Sequence, residues 1–254
     1  MSISTSKANG VMVIAFARAE KKNAITAAMY QQMADAIAEA ESDGATRVIL
    51  IQGSAEVFTA GNDLEDFLQN PPSGEDSPVY QFMRRLSSAS KPVLAAVAGP
   101  AVGIGSTMLL HCDVVYAAPN ARFSMPFTQL GLCPEFASSL LLVQMAGFHR
   151  ASEKLLFGEA FGAEEAQAMG LVNTLMPPEG LLDYAMQRAQ QLAALPAASL
   201  RTTKRLLKAP QASAMAAAMA EEGRHFGAML QSPEAKEAFS AFLQKRKPDF
   251  SQFS

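Results

Sequence analysis

Two glycine-containing turns carry the residues whose types and spacing point most directly to chemistry. Residues 58–64 (FTAGNDL) form one turn and residues 96–105 (AVAGPAVGIG) form the other, and each follows a strand-like apolar segment. Glycine lets a backbone bend sharply or approach a ligand closely. Backbone N–H groups at such turns, one of them at the start of a helix, are suited to holding an oxyanion. On composition alone, two ordinary tight turns are the simpler interpretation.

Glu135 lies in the proline-containing segment of residues 131–139 (GLCPEFASS). From the residues alone, the simpler interpretation is an exposed loop acid, or an acid that stabilises the N-terminus of the helix predicted for residues 138–145. The alternative is a catalytic acid or base: if Phe127, Leu132 and Phe136 make its surroundings apolar, its pKa is raised and it becomes a stronger base.

Other motifs fail. The Gly103-Ile104-Gly105 segment lacks the third glycine of a dinucleotide fingerprint, since Met108 stands there. Residues 53–64 contain no Gly-Lys-Ser or Gly-Lys-Thr, which excludes a P-loop, and Ser106 lacks a nucleophile-elbow context. His111 is expected to be a satisfied core histidine.

Bulk composition is that of a soluble globular protein, with 49% apolar and 18% charged residues and a net charge of −3. This charge disfavours a nucleic-acid partner. Cys112 and Cys133 make no disulfide framework, and the three histidines lack zinc-type spacing, so no metal is expected. The first ten residues lack the apolar core of a signal peptide and no apolar run is long enough to span a membrane. We therefore expect a cytoplasmic protein without membrane association.

Strands and helices alternate through about residue 175, which predicts an α/β fold. Apolar runs predict strands over residues 11–16, 47–52, 92–98, 113–118, 122–124 and 171–175. Capping residues and helical composition predict helices over residues 27–41, 79–88, 106–111, 138–145, 151–157 and 163–169. Thr26 is the expected N-cap of the first helix. Residues 54–67 are expected to be a loop, and the Pro-, Ser- and Gly-rich residues 70–78 to be mobile.

The last third of the sequence predicts helices only, over residues 181–195, 199–208, 212–230 and 233–245. Alanine and methionine occupy several faces of the 212–229 segment, which is typical of a core or subunit-contact helix. We therefore expect a core of residues 1–195 and a helical oligomerisation region of residues 196–254.

The pair of turns resembles the signature of the crotonase (enoyl-CoA hydratase/isomerase) superfamily. The resemblance extends from the KKNAIT loop (residues 21–26) through CDVVYA (112–117) and ARFSMPFTQLGL (121–132) to the helical C-terminus. It implies a spiral of ββα units with a C-terminal helical region that builds a homotrimer, often paired into a hexamer. It also implies an acyl-CoA thioester substrate and no cofactor.

The resemblance implies that the backbone N–H groups of Asn62 and Ile104 form an oxyanion hole for the thioester carbonyl. The residues it places along the substrate and CoA path are Lys22, Ala24, Ala60, Gly61, Asn62, Asp63, Leu64, Gly103, Ile104 and Phe127. Arg18, Lys21 and Lys22 precede the first helix, where relatives place a CoA loop, and a solvated basic loop is the equal alternative. Lys245, Arg246 and Lys247 are further candidates, from a neighbouring subunit. Asp63 and Asp66 are interpreted as loop and helix-start residues.

The choice among the reactions of this superfamily depends on the two positions that match the glutamates of a typical hydratase. These are Thr107 and Phe127, and neither can act as a general acid or base of that kind. Glu135 remains, in a stretch similar to the peroxisomal-type Δ3,Δ2-enoyl-CoA isomerases, where a lone glutamate after proline transfers the proton. The resemblance therefore implies an isomerase in fatty acid β-oxidation that moves a proton from C2 to C4 through an enolate. The alternatives are an enoyl-CoA hydratase or other crotonase-type enzyme, and a non-catalytic acyl-CoA-binding protein.

Overall fold

The computed structural model describes residues 2–70, 74 and 76–253, and strands alternate with helices over most of that length. The strands are β1 (Ile3–Ala8), β2 (Val11–Phe16), β3 (Val48–Gln52), β4 (Val93–Val97), β5 (Pro100–Val102), β6 (Val114–Ala117), β7 (Arg122–Ser124), β8 (Phe161–Gly162) and β9 (Thr174–Leu175). The helices are α1 (Ala27–Ser42), α2 (Leu64–Gln69), α3 (Pro78–Ser88), α4 (Ile104–Thr107), α5 (Ser138–Ala146), α6 (Phe148–Phe157), α7 (Ala163–Ala168), α8 (Pro178–Ala193), α9 (Ala197–Lys208), α10 (Ala212–Met229) and α11 (Pro233–Leu243).

A six-stranded sheet in the order β1-β2-β3-β4-β6-β9 forms the centre of the fold. β1 is antiparallel to β2, and the remaining pairs are parallel. Parallel strands need long crossovers, and these are supplied by the intervening helices. β3 and β4 are buried along nearly their whole length, as expected for strands covered on both faces. On one face, α8 packs an alanine-rich stripe that begins at Leu181.

A second sheet has three strands, in the order β5-β7-β8. After β4 the chain turns at Gly99 into β5, and after β6 it turns into β7, which pairs in parallel with β5. The repeats that begin at β4 and β6 therefore each contribute one strand to the large sheet, one to the small sheet, and then a helix. This is the ββα spiral expected from the resemblance, so the predicted fold class is confirmed.

The last three helices, α9 to α11, follow the final strand of the described chain. α10 packs on α5, and the ring of Phe226 on α10 lies edge-on to Phe127 with centroids 6.4 Å apart. The division at residue 195 falls in the connection between α8 and α9, and it stays a prediction together with the oligomeric state. Within the described residues, no helix combines the length and apolar character needed to cross a bilayer.

Most predicted elements are confirmed to within a few residues, including the Thr26 N-cap, whose hydroxyl accepts a hydrogen bond from the Met29 N–H. Five expectations were wrong. Helix α8 begins at Pro178, three residues before its predicted start, and the strand predicted for residues 171–175 is limited to Thr174–Leu175. Residues 54–67 are not all loop, because α2 begins at Leu64. Residues 106–111 are not one helix, because α4 ends at Thr107 and a 3-10 turn follows. Helix α6 begins at Phe148, three residues before its predicted start.

β1, β5 and β8 were not predicted. Only Ile3 of β1 is buried, so the strand has no apolar pattern and is formed by backbone pairing with β2. β5 and β8 are two or three residues long, which is too short for a periodicity. The expected mobility of residues 70–78 cannot be compared, since residues 71–73 and 75 lie outside the described part of the chain.

The turn at Gly99 generates a stability prediction. Its φ is +63°, and an added Cβ would lie 1.7 Å from the Glu56 carbonyl oxygen. Gly99→Ala should lower the free energy of unfolding by more than about 3 kcal/mol, because left-handed strain adds to a backbone clash. Gly44→Ala is the matched control, since no atom lies within 4 Å of its added Cβ. Urea denaturation of both variants measures the effect, and equal stabilities would contradict the packing of this turn.

Candidate active site

The small sheet brings the two glycine turns together. Thr59 and Ala101 form a parallel bridge, in which the Thr59 N–H donates to the Pro100 carbonyl (2.9 Å) and the Val102 N–H donates to the Thr59 carbonyl (3.1 Å). Asn62 and Ile104 each lie three residues beyond their half of this bridge. The two turns therefore leave the same end of adjacent parallel segments.

The N–H of Asn62 is directed away from its own bridge. In the parallel bridge between Ile25 and Asn62, the Ile25 N–H donates to the Gly61 carbonyl (2.8 Å) and the Asp63 N–H donates to the Ile25 carbonyl (2.9 Å). The bonding groups are thus those of the residues flanking Asn62, and its own N–H faces the opposite side, with no acceptor among the described residues.

The N–H of Ile104 is free for a different reason. Ile104 is the first residue of α4, and the first N–H groups of a helix have no intrahelical acceptor. Gly61 lets the two turns approach each other: its φ is +85°, and an added Cβ would lie 2.7 Å from the Val102 carbonyl oxygen. The site therefore offers two unpaired N–H donors on neighbouring turns, which is the arrangement that an oxyanion hole requires.

Glu135 is buried, with 8% of its surface exposed. The Thr107 hydroxyl donates a short hydrogen bond to Oε1 of the carboxyl group, whereas Oε2 is buried without a partner in the described structure. Burial raises the pKa of Glu135 to about 8, the Thr107 hydrogen bond opposes this shift, and the charge of Glu222 adds to it. The direction expected from the sequence is confirmed. Glu135 is thus a carboxyl group whose proton can be exchanged near neutral pH through one free oxygen.

The backbone directly after Glu135 is left-handed at two residues, Phe136 (φ +59°) and Ala137 (φ +55°). Such a conformation costs about 1–2 kcal/mol for each residue with a side chain. The Phe136 carbonyl accepts a hydrogen bond from Nε2 of His111 (2.8 Å), and the two rings stack at 3.7 Å. Burial lowers the pKa of His111 to about 3, so this histidine is neutral and serves the core, as predicted.

Both turns and Glu135 line a single cavity of about 1740 Å³. This exceeds the roughly 300–1,000 Å³ of ordinary small-molecule pockets, so it has room for more than a reacting group. Among the described residues of its wall, Glu135 carries the one carboxylate. Six basic side chains also line it, from α3, α9 and α10: Arg84, Arg201, Lys204, Arg205, Lys208 and Arg224.

Not all of the predicted substrate residues meet at this cavity. Those that line it are Ala60, Gly61, Asn62, Leu64, Gly103, Ile104, Phe127 and Glu135. Lys22, Ala24 and Asp63 are not part of its wall. Asp63 caps α2 and forms an ion pair with Arg18 (2.6 Å), which also donates to the Ala24 carbonyl. The interpretation of Asp63 as a helix-start residue is confirmed.

The predicted CoA cations lie outside this cavity. Lys21 and Lys22 are exposed, and Arg246 forms an ion pair with Glu237 (2.5 Å). Their contact with CoA stays a prediction. The six basic side chains of the cavity wall were not predicted, because they come from three separate helices.

Sequence reasoning also missed three residues around the reacting groups. The Tyr30 hydroxyl donates to the Asn62 side chain, and Thr107 was noted only as a missing acid. Glu222 is buried on α10 and accepts hydrogen bonds from the segment that follows Glu135. A signal for Glu222 existed, because it occupies an apolar stripe of spacing 4, 3, 4 with Met215, Met219 and Phe226.

The site combines two unpaired backbone N–H groups, at Asn62 and Ile104, with one buried carboxyl group, and all three residues line one cavity. The sequence matches the family described as "Enoyl-CoA hydratase/isomerase" over residues 6–253. The chain belongs to this family, which is the crotonase superfamily.

Individual relatives include enzymes of different reactions. The chain is 34% identical to 2,3-dehydroadipyl-CoA hydratase of Escherichia coli (strain K12), covering 96% of each chain. It is 35% identical to enoyl-CoA delta isomerase 2 of Rattus norvegicus, covering 94% of this chain and 62% of that protein. The solved structure of Pseudomonas aeruginosa OdaA is 47% identical with a TM-score of 0.93, covering 95% of this chain and 98% of that one. Similarity alone therefore does not select the reaction.

The raised pKa of Glu135 generates a stability prediction. An acid whose pKa is raised by folding, here from 4.5 to about 8, destabilises the fold progressively as pH rises through that window. Glu135→Gln should therefore be more stable than the wild type at pH 9, by a few kcal/mol, since one pKa unit corresponds to about 1.36 kcal/mol. The difference should vanish below about pH 4.5. Urea denaturation at pH 4.5, 7 and 9 measures this difference in the free energy of unfolding. If the free energies of the wild type and the variant change with pH in the same way, the burial of an ionisable Glu135 is contradicted.

Proposed function

We propose that this protein is a Δ3,Δ2-enoyl-CoA isomerase that acts on unsaturated fatty acyl-CoA thioesters. The observation that carries the proposal is the state of Glu135. It is buried beside the oxyanion turns, one of its oxygens is held by Thr107, and the other has no partner in the described structure.

The chemistry requires one carboxylate and one oxyanion hole. Ionised Glu135 removes a proton from C2 of a 3-enoyl thioester, and the electrons of the C2–H bond delocalise onto the thioester oxygen. The N–H groups of Asn62 and Ile104 donate to that oxygen, and one such donor typically lowers the barrier by about 2.7–4 kcal/mol. Protonated Glu135 then returns the proton at C4, so the C3=C4 double bond moves to C2=C3. No water is consumed and no redox or metal cofactor is needed.

The environment of Glu135 suits a base that must also act as an acid. A pKa of about 8 lies near neutral pH, where a general base is strong yet still ionised in a useful fraction of molecules. The same value makes its protonated form stable enough to carry the proton between C2 and C4. The free oxygen, Oε2, is the atom available for that transfer.

The absence of a second acid in the described cavity wall supports isomerisation over hydration. Hydration by the two-carboxylate route needs one acid and one base around a water molecule. Thr107 and Phe127 occupy the positions where the resemblance implies those carboxylates, and Glu135 is the single carboxylate among the described wall residues.

The charge of the cavity wall supports a CoA thioester as the substrate class. Six basic side chains and one largely protonated carboxyl group line the cavity in the described chain. Lys204 and Lys208 pair with Asp113, Arg224 pairs with Glu221, and Arg84 lies 3.9 Å from Asp76, whereas Arg201 and Arg205 form no ion pair with a described residue. These two arginines are the cations most available to the phosphates of CoA. Trimeric assembly and a cytoplasmic location stay predictions.

The direct test supplies 3-cis- or 3-trans-enoyl-CoA and follows the conjugated 2-enoyl product. The wild type should turn over the substrate, and Glu135→Ala should be slower by about 10²–10⁴-fold, the usual contribution of a general base. The wild-type kcat/KM should fall as pH drops below about 8, because Glu135 must be ionised. Full turnover by the variant, or none by the wild type, would contradict the proposal.

Crotonyl-CoA serves as the comparison substrate in the same assay. Rapid formation of the 3-hydroxy product would favour the hydratase alternative. Calorimetric binding of CoA without turnover of any enoyl substrate would favour a non-catalytic acyl-CoA-binding protein.

Thr107→Val tests the orientation of Glu135. Valine keeps the shape of threonine but removes the hydroxyl that donates to Oε1. The kcat should fall by about 10- to 100-fold, the size expected from losing a hydrogen bond of roughly 1.5–3 kcal/mol to a charged group. The acid limb of kcat/KM should move to higher pH, because this hydrogen bond lowers the pKa of Glu135. Thr107→Ser is the matched control that restores the donor, and an unchanged pH limb in Thr107→Val would contradict the orienting role.

A further inference from the structure

Glu222 is a buried carboxylate on α10 that the proposed reaction does not use. It is 7% exposed, although the neighbouring Glu221 is exposed. One oxygen accepts from the Ala137 N–H (2.5 Å), and the other accepts from the Ser139 N–H (2.9 Å) and hydroxyl (2.5 Å). Every one of these donors lies within four residues of Glu135.

These hydrogen bonds hold the strained part of the turn. Ala137 is one of the two left-handed residues that follow Glu135, and Ser139 lies in the first turn of α5. From the other side, His111 holds the Phe136 carbonyl. The direction in which the Glu135 side chain leaves the backbone is therefore determined by two clamps, one from the core and one from α10.

α10 contacts the Glu135 loop at two further points. The thiol of Cys133 donates to the Glu222 carbonyl (3.7 Å), and Phe226, one helical turn beyond Glu222, packs on Phe127. The helix thus spans the loop from residue 127 to residue 139, and Glu222 is its charged contact.

We propose that Glu222 is a positioning residue for Glu135, through which the C-terminal helix α10 fixes the orientation of the base. The proposal rests on the proposed function of Glu135 as the proton carrier. Glu222 holds Ala137 and Ser139, these hold the left-handed turn, and the turn directs the carboxyl group into the cavity. Its negative charge also acts on Glu135 and raises the pKa of that carboxyl group.

A purely structural helix cap is the alternative. A cap would alter the free energy of unfolding but would leave the kcat of the folded enzyme unchanged. A positioning residue alters kcat more than KM, since misplacement of a catalytic group by about 1 Å can cost 10²-fold. These readouts separate the two roles.

The other titratable groups that interact with Glu135 do not change charge in the relevant range. They are the phenols of Tyr30 on α1 and Tyr80 on α3 and the thiol of Cys133, whose pKa values are all raised, with burial as the largest cause. Each is therefore neutral below pH 8. A shift of the Glu135 titration in a Glu222 variant is thus attributable to Glu222.

The experiment compares Glu222→Gln and Glu222→Asp with the control Glu221→Gln, which removes a carboxylate one residue away on the exposed side of α10. Kinetics with a 3-enoyl-CoA substrate give kcat, KM and the pH profile. In parallel, 13C NMR of glutamate-labelled protein follows the titration of the Glu135 carboxyl group, assigned by its loss in Glu135→Gln.

Glu222→Gln should lower kcat by about 10- to 100-fold with a smaller change in KM. The amide N–H of the introduced glutamine would lie opposite the Ala137 N–H, so two donors would meet where a donor and an acceptor met before. Loss of the negative charge should lower the pKa of Glu135, which moves both the acid limb of kcat/KM and the NMR titration to lower pH. Glu222→Asp should recover part of kcat and keep the wild-type limb. Glu221→Gln should keep the wild-type kcat and acid limb; its KM is not the control readout, because Glu221 pairs with Arg224 of the cavity wall.

The proposal is overturned if folded Glu222→Gln keeps the wild-type kcat and pH limb, or if Glu221→Gln has the same effect. If Glu222→Gln does not fold, Ser139→Ala removes one hydrogen bond to Glu222, and an unchanged kcat in that variant overturns the proposal. The NMR titration needs no substrate, so it tests the coupling of Glu222 to Glu135 even if the isomerase assay fails. An active wild type with unaffected variants would refute the positioning role alone.

Discussion

The burial of one ionisable carboxyl group is the constraint on which the rest of this site depends. Removing a carboxylate from water is costly unless it is neutralised or hydrogen-bonded. At Glu135 the cost is met partly by protonation, because the pKa rises to about 8, and partly by the Thr107 hydroxyl. The unpaired Oε2 is the part of the cost that remains. In the proposed reaction, this oxygen takes the proton from the substrate.

The oxyanion turns follow from sheet pairing rather than from their own sequence. The Thr59–Ala101 bridge aligns the two segments, and the absence of a side chain at Gly61 lets them come close. The free N–H groups of Asn62 and Ile104 are consequences of that alignment. The same alignment places α4 next to Glu135, because Thr107, whose hydroxyl donates to the Glu135 carboxyl group, lies three residues after Ile104. Base and oxyanion donors are therefore positioned by one structural unit.

Local patterns predicted much of this arrangement, and tertiary contacts determined the rest. Apolar runs identified β3 and β4, and the Thr26 cap identified the start of α1, because these signals lie in neighbouring residues. The resemblance supplied Asn62, Ile104 and Glu135, whereas glycine spacing alone favoured two ordinary turns. β1 could not be predicted, since its pairing with β2 is made by backbone groups. Glu221 and Glu222 are identical in type; the apolar stripe through Met219 and Phe226 marks Glu222 as the inward-facing one, but its contacts depend on the docking of α10 onto α5.

The central claim is that a single carboxyl group carries one proton from C2 to C4. Deuterium transfer tests it most directly, with a 3-enoyl-CoA deuterated at both C2 positions, turned over in ordinary water and analysed by mass spectrometry and NMR. The account predicts a 2-enoyl product with deuterium at C4, above the natural abundance found when unlabelled substrate is turned over in the same water. A product whose new C4 hydrogen comes entirely from solvent, or one that has gained a hydroxyl group at C3, would contradict it.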